Sequence, residues 1–234
     1  MIRSAKITLL LLAMAGSALA QNAPKADVAE NPVAQARNPR SWSYGPIANW
    51  GTGVGERSDF KFFFAGAHVG KVLTPVRRAG IFSGQFELGA DVIPFWQSYT
   101  PAAHTNTYTV GDVTYTQKIA GGTYTGVSLT PVIFRWNLLT RSARIQPWFQ
   151  AAGGLIYTTH KYPPNVLVPE GTAGGTSVWN FSPQGGGGIH YFVRPGRSID
   201  FGVNAVHISS ASLGDRNPGV NASIQLQVGY SFWK

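Results

Sequence analysis

Between Ser223 and Phe232 the chain alternates without a break: Ile224, Leu226, Val228, Tyr230 and Phe232 fall on one face, Ser223, Gln225, Gln227, Gly229 and Ser231 on the other. A period of two is the signature of a β-strand, whose successive side chains point to opposite faces. The pattern returns in residues 81–96, where Phe82, Phe86, Leu88, Val92 and Trp96 oppose Ser83, Gln85, Glu87, Gly89 and Asp91. In 177–193, Trp179, Phe181, Ile189 and Tyr191 oppose Asn180, Ser182, Gln184 and His190, while Val127, Leu129 and Ile133 oppose Ser128 and Thr130. Residues 41–54, 59–72, 144–159 and 198–212 are also strand-like, although 41–54 and 59–72 alternate poorly. That makes eight strands.

The polar face of these strands decides what surrounds them. A soluble sandwich hides its apolar face and shows Lys and Glu to water, whereas here the polar face is mostly Ser, Gln, Asn and Gly. Only 12% of all residues are charged, against roughly a quarter in soluble domains. No stretch after residue 20 runs 18 apolar residues, so no transmembrane helix is encoded. The remaining solution is an all-β, eight-stranded antiparallel transmembrane β-barrel, with apolar side chains turned to acyl chains and small polar ones filling the interior. Closure also removes sheet edges, which lipid cannot hydrate. With the N-terminus on the periplasmic side, the connections at 73–79, 138–143 and 194–197 are short and periplasmic. Those at 98–122 and 160–176 are long, rich in Thr, Gly and Pro, and external, as the outer-membrane pattern requires. A solute pore is disfavoured, because side chains fill a barrel of eight strands.

Residues 1–20 are a signal peptide: Arg3 and Lys6 precede an apolar Ile7–Ala15, and Ala18-Leu19-Ala20 forms the cleavage site. Residues 21–40 are polar, Pro-bearing and aperiodic, and are expected to form a disordered leader before the barrel at 41–234. Removing the signal peptide leaves 19 − 2 = 17 cations against 10 acids, a net charge of +7. No Lys/Arg run or stripe suits nucleic acid, so anionic lipid headgroups are the expected counter-charge. The absence of Cys excludes disulfides and Cys-ligated metals. Gly185–Gly188 precedes no Lys or helix start and is read as relief of crowding in a narrow barrel, not as a phosphate loop.

Of the five His, none forms an HExxH or HxH pair, and neither a metal nor a cofactor is expected. His190 reads as a hydrogen-bonded lumen residue, and His104 and His160 as solvated surface. In Ser198–Ser212 the apolar face is Ile199, Phe201, Val203 and Ala205, opposed by Asp200, Gly202 and Asn204. Carried forward, this parity turns His207 and Ser209 outward at the external end of strand seven, close enough for a hydroxyl–imidazole contact. From spacing alone they are equally well polar residues of the headgroup zone. Glu87, Asp91, Gln184, Asp200 and Gln225 fall inside by the same parity.

The run from His207 through Ile-Ser-Ser-Ala-Ser-Leu-Gly-Asp-Arg-Asn-Pro-Gly-Val to Asn221, followed by Ile224–Ser231, resembles the C-terminal signature of outer-membrane lipid A 3-O-deacylases, the PagL type, also called acyloxyacyl hydrolases. The resemblance covers about thirty residues and implies an eight-stranded barrel that removes an acyl chain from the lipid A of lipopolysaccharide through a Ser–His–Glu arrangement on its outer surface, without metal or cofactor. It assigns the nucleophile to Ser209 and the base to His207. The acidic member falls on Asn221, which can orient an imidazole but supplies no charge. Ser210 and the Ser212 amide match the oxyanion positions, Asp215 is a nearby replacement carboxylate, and Arg216 is placed to pair with a lipid A phosphate. The alternative is a non-catalytic outer-membrane barrel with a structural or adhesive role, resting on the weakened triad and the long loops.

Overall fold

The computed structural model describes residues 32–164, 177–211, 213 and 221–234. The strands are β1 (Trp42–Gly53), β2 (Lys61–Val72), β3 (Gly84–Tyr99), β4 (His104–Val110), β5 (Val113–Ile119), β6 (Thr123–Leu138), β7 (Ile145–Tyr162), β8 (Ser177–Phe181), β9 (Gln184–Arg194), β10 (Arg197–His207) and β11 (Ala222–Trp233). Every pairing between these strands is antiparallel; β1 pairs with both β2 and β11, and the β6–β7 pairing completes the circle. Eight strands make the wall, because β8 and β9 are one strand interrupted at Ser182-Pro183, where proline has no N–H for the ladder. The register across the interruption is unbroken: Val206 faces Gln184 and Ser209 faces Phe181.

β4 and β5 form a separate hairpin within the external 98–122 connection, turned at Gly111-Asp112 with Gly111 at φ +63°. The sequence pattern gives this connection only as a long external loop. Its Thr and Tyr residues favour strand, but with both faces polar no alternation betrays it.

The parity assignments hold for most positions and fail at two. Leu88, Val92, Val127, Leu129, Trp179 and Phe181 face outward, while Glu87, Asp200 and Gln225 are buried inside. Trp96 and Ile133, expected on the outer face, are instead 1% exposed and interior. The register shifts between Ile93 and Trp96 and again between Leu129 and Val132, around Pro94 and Pro131. Each proline sits in a bulge, and one extra residue reverses the facing of everything beyond it.

The middle of the lumen is a hydrogen-bonded polar chain. Ser43 Oγ donates to Glu87 Oε1 (2.9 Å) and Asn137 Nδ2 to Glu87 Oε2 (2.6 Å); Arg135 Nη1 lies 3.5 Å from Glu87 Oε1. Arg135 also donates from Nε and Nη2 to Gln150 Oε1 (3.1 and 2.9 Å), and Gln150 and Asn204 continue the chain to Gln227 at 3.0 Å each. His68 Nδ1 lies 2.6 Å from Asp91 Oδ1. His190 Nδ1 lies 2.7 Å from Asp200 Oδ1, and Asp200 also accepts from Ser198 and Ser231. These partners satisfy charges that lipid could not. The Arg135 guanidinium lies 4.6 Å over the Trp148 ring. A Cβ on Gly188 or Gly202 would come within 2.5 or 2.7 Å of that indole, so the glycines there make room for Trp148.

The two ends of the lumen are apolar. The external third holds Phe62, Phe64, Trp96, Tyr124 and Tyr162 together with Ile93, Ile156, Val206 and Ile208, where small polar residues were expected. At the periplasmic mouth a short helix α1 (Pro32–Ala36) buries Val33 and Ala36 against Val72, Phe192 and Trp233. Gln85 Nε2 donates to Arg37 O (2.7 Å) and Arg37 Nη2 to Thr140 O (2.8 Å), fixing the segment that follows. This part of the expected disordered leader is therefore packed: five residues hold no helix alone, but the mouth supplies the apolar contacts. Residues 1–20, expected as a signal peptide, and residues 21–31 lie outside the described residues.

Candidate active site

The site is built at the external end of β10. Val206 and Ile208 are buried in the lumen's apolar cluster, so the intervening His207 and the following Ser209 take the outward face, both half-buried. No bulge intervenes, because the backbone remains in register on both sides. His207 N donates to Pro183 O (2.9 Å) and Ile208 N to Asn221 O (2.8 Å). Ser209 exchanges both backbone bonds with Phe181, at 2.7 and 3.0 Å, carrying the ladder two residues past the formal end of β10.

Immediately beyond, the chain turns sharply. Ser209 Oγ accepts from the Ala211 amide (3.1 Å), and Ser210 O accepts from the Leu213 amide (2.9 Å). Ala211 has φ +47°, the left-handed region that a residue with a Cβ enters at a cost of about 1–2 kcal/mol. Such outliers collect at functional sites, and this one abuts the candidate nucleophile. Nothing in the sequence signals it.

Asn221 lies across from Ile208 on the neighbouring strand and is buried, with neither Oδ1 nor Nδ2 hydrogen-bonded. Leaving a buried polar group unpaired costs about 1–3 kcal/mol, so this amide is held in place without local reward. Among the described residues no hydrogen bond joins His207 to Ser209 or to Asn221: the first two share the outer face, whereas Asn221, paired with Ile208, takes the inner one. Ser210 is fully buried, so its hydroxyl is not presented on the outer surface beside Ser209. Ser212, Asp215 and Arg216 lie outside the described residues. Glu87 and Asp91 are in the lumen, bonded to Ser43, Asn137 and His68, and so are unavailable to the outer surface.

The surface around the pair is apolar and faces lipid. Phe181 flanks Ser209, the Tyr157 and Trp179 rings lie 4.9 Å apart on the same wall, and Val203, Leu213, Ile224 and Leu226 are all exposed. A hydroxyl and an imidazole two residues apart on such a wall can perform acyl transfer on an ester lying in the outer leaflet. Sequence reasoning missed Phe181 and Pro183 as neighbours of the pair; the proline within an alternating segment was the available signal.

Among solved structures the chain resembles the outer-membrane enzyme PagL (16% identity, TM-score 0.45, covering 82% of this chain and 98% of that one). It also resembles neisserial surface protein A (14%, TM-score 0.47, 82% and 96%) and the N-terminal barrel domain of Pseudomonas aeruginosa OprF (12%, TM-score 0.37, 82% and 98%). No curated protein sequence matches it. The family model for lipid A 3-O-deacylase (PagL) matches residues 84–231, which run from β3 into β11 and include His207, Ser209 and Asn221. That match spans well over half of the 234 residues: the chain belongs to the PagL family of lipid A 3-O-deacylases, proteins of the outer membrane.

Proposed function

We propose that the protein is an outer-membrane serine esterase that removes an ester-linked acyl chain from lipid A, with Ser209 as nucleophile and His207 as base. In this mechanism His207 takes the Ser209 hydroxyl proton as Oγ bonds to the acyl carbonyl carbon. The tetrahedral intermediate then collapses, the sugar oxygen leaves, and it receives that proton from His207. Water, deprotonated by His207, attacks the acyl–Ser209 ester; the fatty acid departs and the serine recovers its proton. Asn221 takes the place of the acidic member, and its carbonyl oxygen would accept from the imidazole only once the side chain turns outward from the inner face it shares with Ile208. The Ser212 amide is the oxyanion donor kept in this scheme; the Ser210 hydroxyl would need its turn to open. Arg216 would meet a lipid A phosphate.

The observation that carries the reading is the outward His207/Ser209 pair on a lipid-facing wall. Opposing it, the unlinked triad favours the non-catalytic barrel. The test is the mass spectrum of purified lipid A after incubation in detergent with wild type and with Ser209→Ala. Loss of one acyl chain with wild type alone supports the hydrolase, and identical spectra establish the non-catalytic barrel.

The missing carboxylate gives a second expected outcome. Converting the Asp of a serine-protease triad to Asn lowers the rate about 10⁴-fold. If the absent charge limits this enzyme, Asn221→Glu raises kcat by about 10-fold or more, measured as initial fatty-acid release. An unchanged or lower kcat shows that position 221 only packs.

A further inference from the structure

Among the described residues, most exposed cations gather at the end of the barrel away from His207 and Ser209. Around the periplasmic rim, Arg77 and Arg78 occupy the β2–β3 turn, Arg141 and Arg144 the β6–β7 turn, and Arg194 and Arg197 flank the β9–β10 turn. Arg40 precedes β1, Lys71 lies at the end of β2 just before Val72 and Lys234 follows β11, which closes the ring. Among the described residues no Asp or Glu is exposed on this rim: Glu87 and Asp200 are inside the lumen, and Asp59 and Asp112 belong to external connections. The described external end, by contrast, mixes Lys61 and Lys161 with Asp59 and Asp112, and its Arg57 is buried.

What the ring faces follows from the residues between its charges. Lys71 Nζ stands 4.5 Å over the Trp42 ring, the Arg197 guanidinium 4.3 Å over Phe232, and Lys234 Nζ 5.9 Å from the centre of Tyr44. Trp42 and Tyr44 are exposed on the outside of the wall, where amphipathic rings mark the membrane interface. In the β2–β3 turn, beside Arg77 and Arg78, Ile81 is 85% and Phe82 59% exposed. Two large apolar side chains at a turn tip belong against acyl chains, with the arginines at headgroup depth. The cations therefore form a belt in the plane of the inner leaflet, not a face directed at a soluble partner.

We propose that this belt binds the phosphates of anionic phospholipids in the inner leaflet, a second lipid site at the end of the barrel opposite His207 and Ser209. Cations at a membrane surface concentrate anionic headgroups, and salt screens the attraction. The side chains of Arg77, Arg78, Arg141 and Arg194 make no hydrogen bond or ion pair among the described residues, so they can be neutralised without dismantling the wall.

The test uses the full-length folded protein in mild detergent, offered equimolar phosphatidylglycerol and phosphatidylcholine, with retained lipids counted by native mass spectrometry. Wild type should retain phosphatidylglycerol over phosphatidylcholine by roughly fivefold. The preference should approach one in the variant combining Arg77→Gln, Arg78→Gln, Arg141→Gln and Arg194→Gln, and also at about 0.5 M salt. A parallel arm offers purified lipid A, whose retention should not change between wild type and variant because its phosphates meet the other end. Heat-dependent gel mobility shows that the variant is folded. Equal retention of the two phospholipids by wild type overturns the proposal, as does a preference that survives in the folded variant. A variant that loses lipid A along with phosphatidylglycerol overturns the leaflet assignment. Tight retention of polyglutamate by wild type, with no preference between the phospholipids, assigns the rim to a soluble acidic partner instead. None of these outcomes depends on whether the barrel hydrolyses lipid A.

Discussion

Ser209→Ala, His207→Ala and the double variant are each expected to lose fatty-acid release from lipid A by the same factor, at least about 10³-fold. The equality matters more than the size. Nucleophile and base serve one proton transfer, so removing either removes the step, and removing both removes nothing further; independent contributors would multiply. Initial rates with purified lipid A in detergent, beyond the substrate concentration at which wild type saturates, separate the cases. A double variant much slower than either single one would mean that His207 acts elsewhere, for instance on substrate binding. Rates equal to wild type in all three would remove the pair from the chemistry altogether.

Arg135→Met is expected to have the largest effect on stability, about 3–5 kcal/mol. Arg135 lies 3.5 Å from Glu87, donates twice to Gln150 and covers the Trp148 ring. Methionine replaces part of the contact with the indole but leaves Glu87, which is wholly buried, with Ser43, Asn137 and His68 as its remaining partners. A buried charge deprived of its counter-ion is the costly case, in contrast to replacing the whole pair by apolar groups. Urea unfolding in detergent, followed by heat-dependent gel mobility, should show the midpoint fall for Arg135→Met and partly recover in Arg135→Met/Glu87→Gln. An unchanged midpoint would mean that the remaining hydrogen bonds to Glu87 suffice.

The strands that alternated cleanly in sequence are those whose interior face is polar along most of its length, as in β10 and β11. β2 alternates poorly for a physical reason: Phe62 and Phe64 point into the apolar external third of the lumen while Phe63 points outward, so both faces read alike. The misfacing of Trp96 and Ile133 has a separate cause, one extra residue around Pro94 and Pro131. Composition carries no sign of where a bulge absorbs it, although a proline within a strand marks the place to look. The outward facing of His207 and Ser209 is legible because no bulge separates them from Ile199–Ala205. The lack of hydrogen bonds from Asn221 was not legible, since it depends on a strand reached through a long connection. Nor was the charge belt: its members are scattered from Arg40 to Lys234 in sequence and meet only because every second connection returns to the same rim.

The packed lumen has an electrical meaning. With aromatic rings filling its external third, Val33 and Ala36 set into its mouth, and the polar chain between them tied side chain to side chain, the described lumen is built as a plug around one cavity beside Asp91, Gln150 and Asn204. Such a barrel is expected to add little ionic leak to a planar bilayer. The outer surface and the two rims are therefore the parts of this molecule left to meet lipid and water.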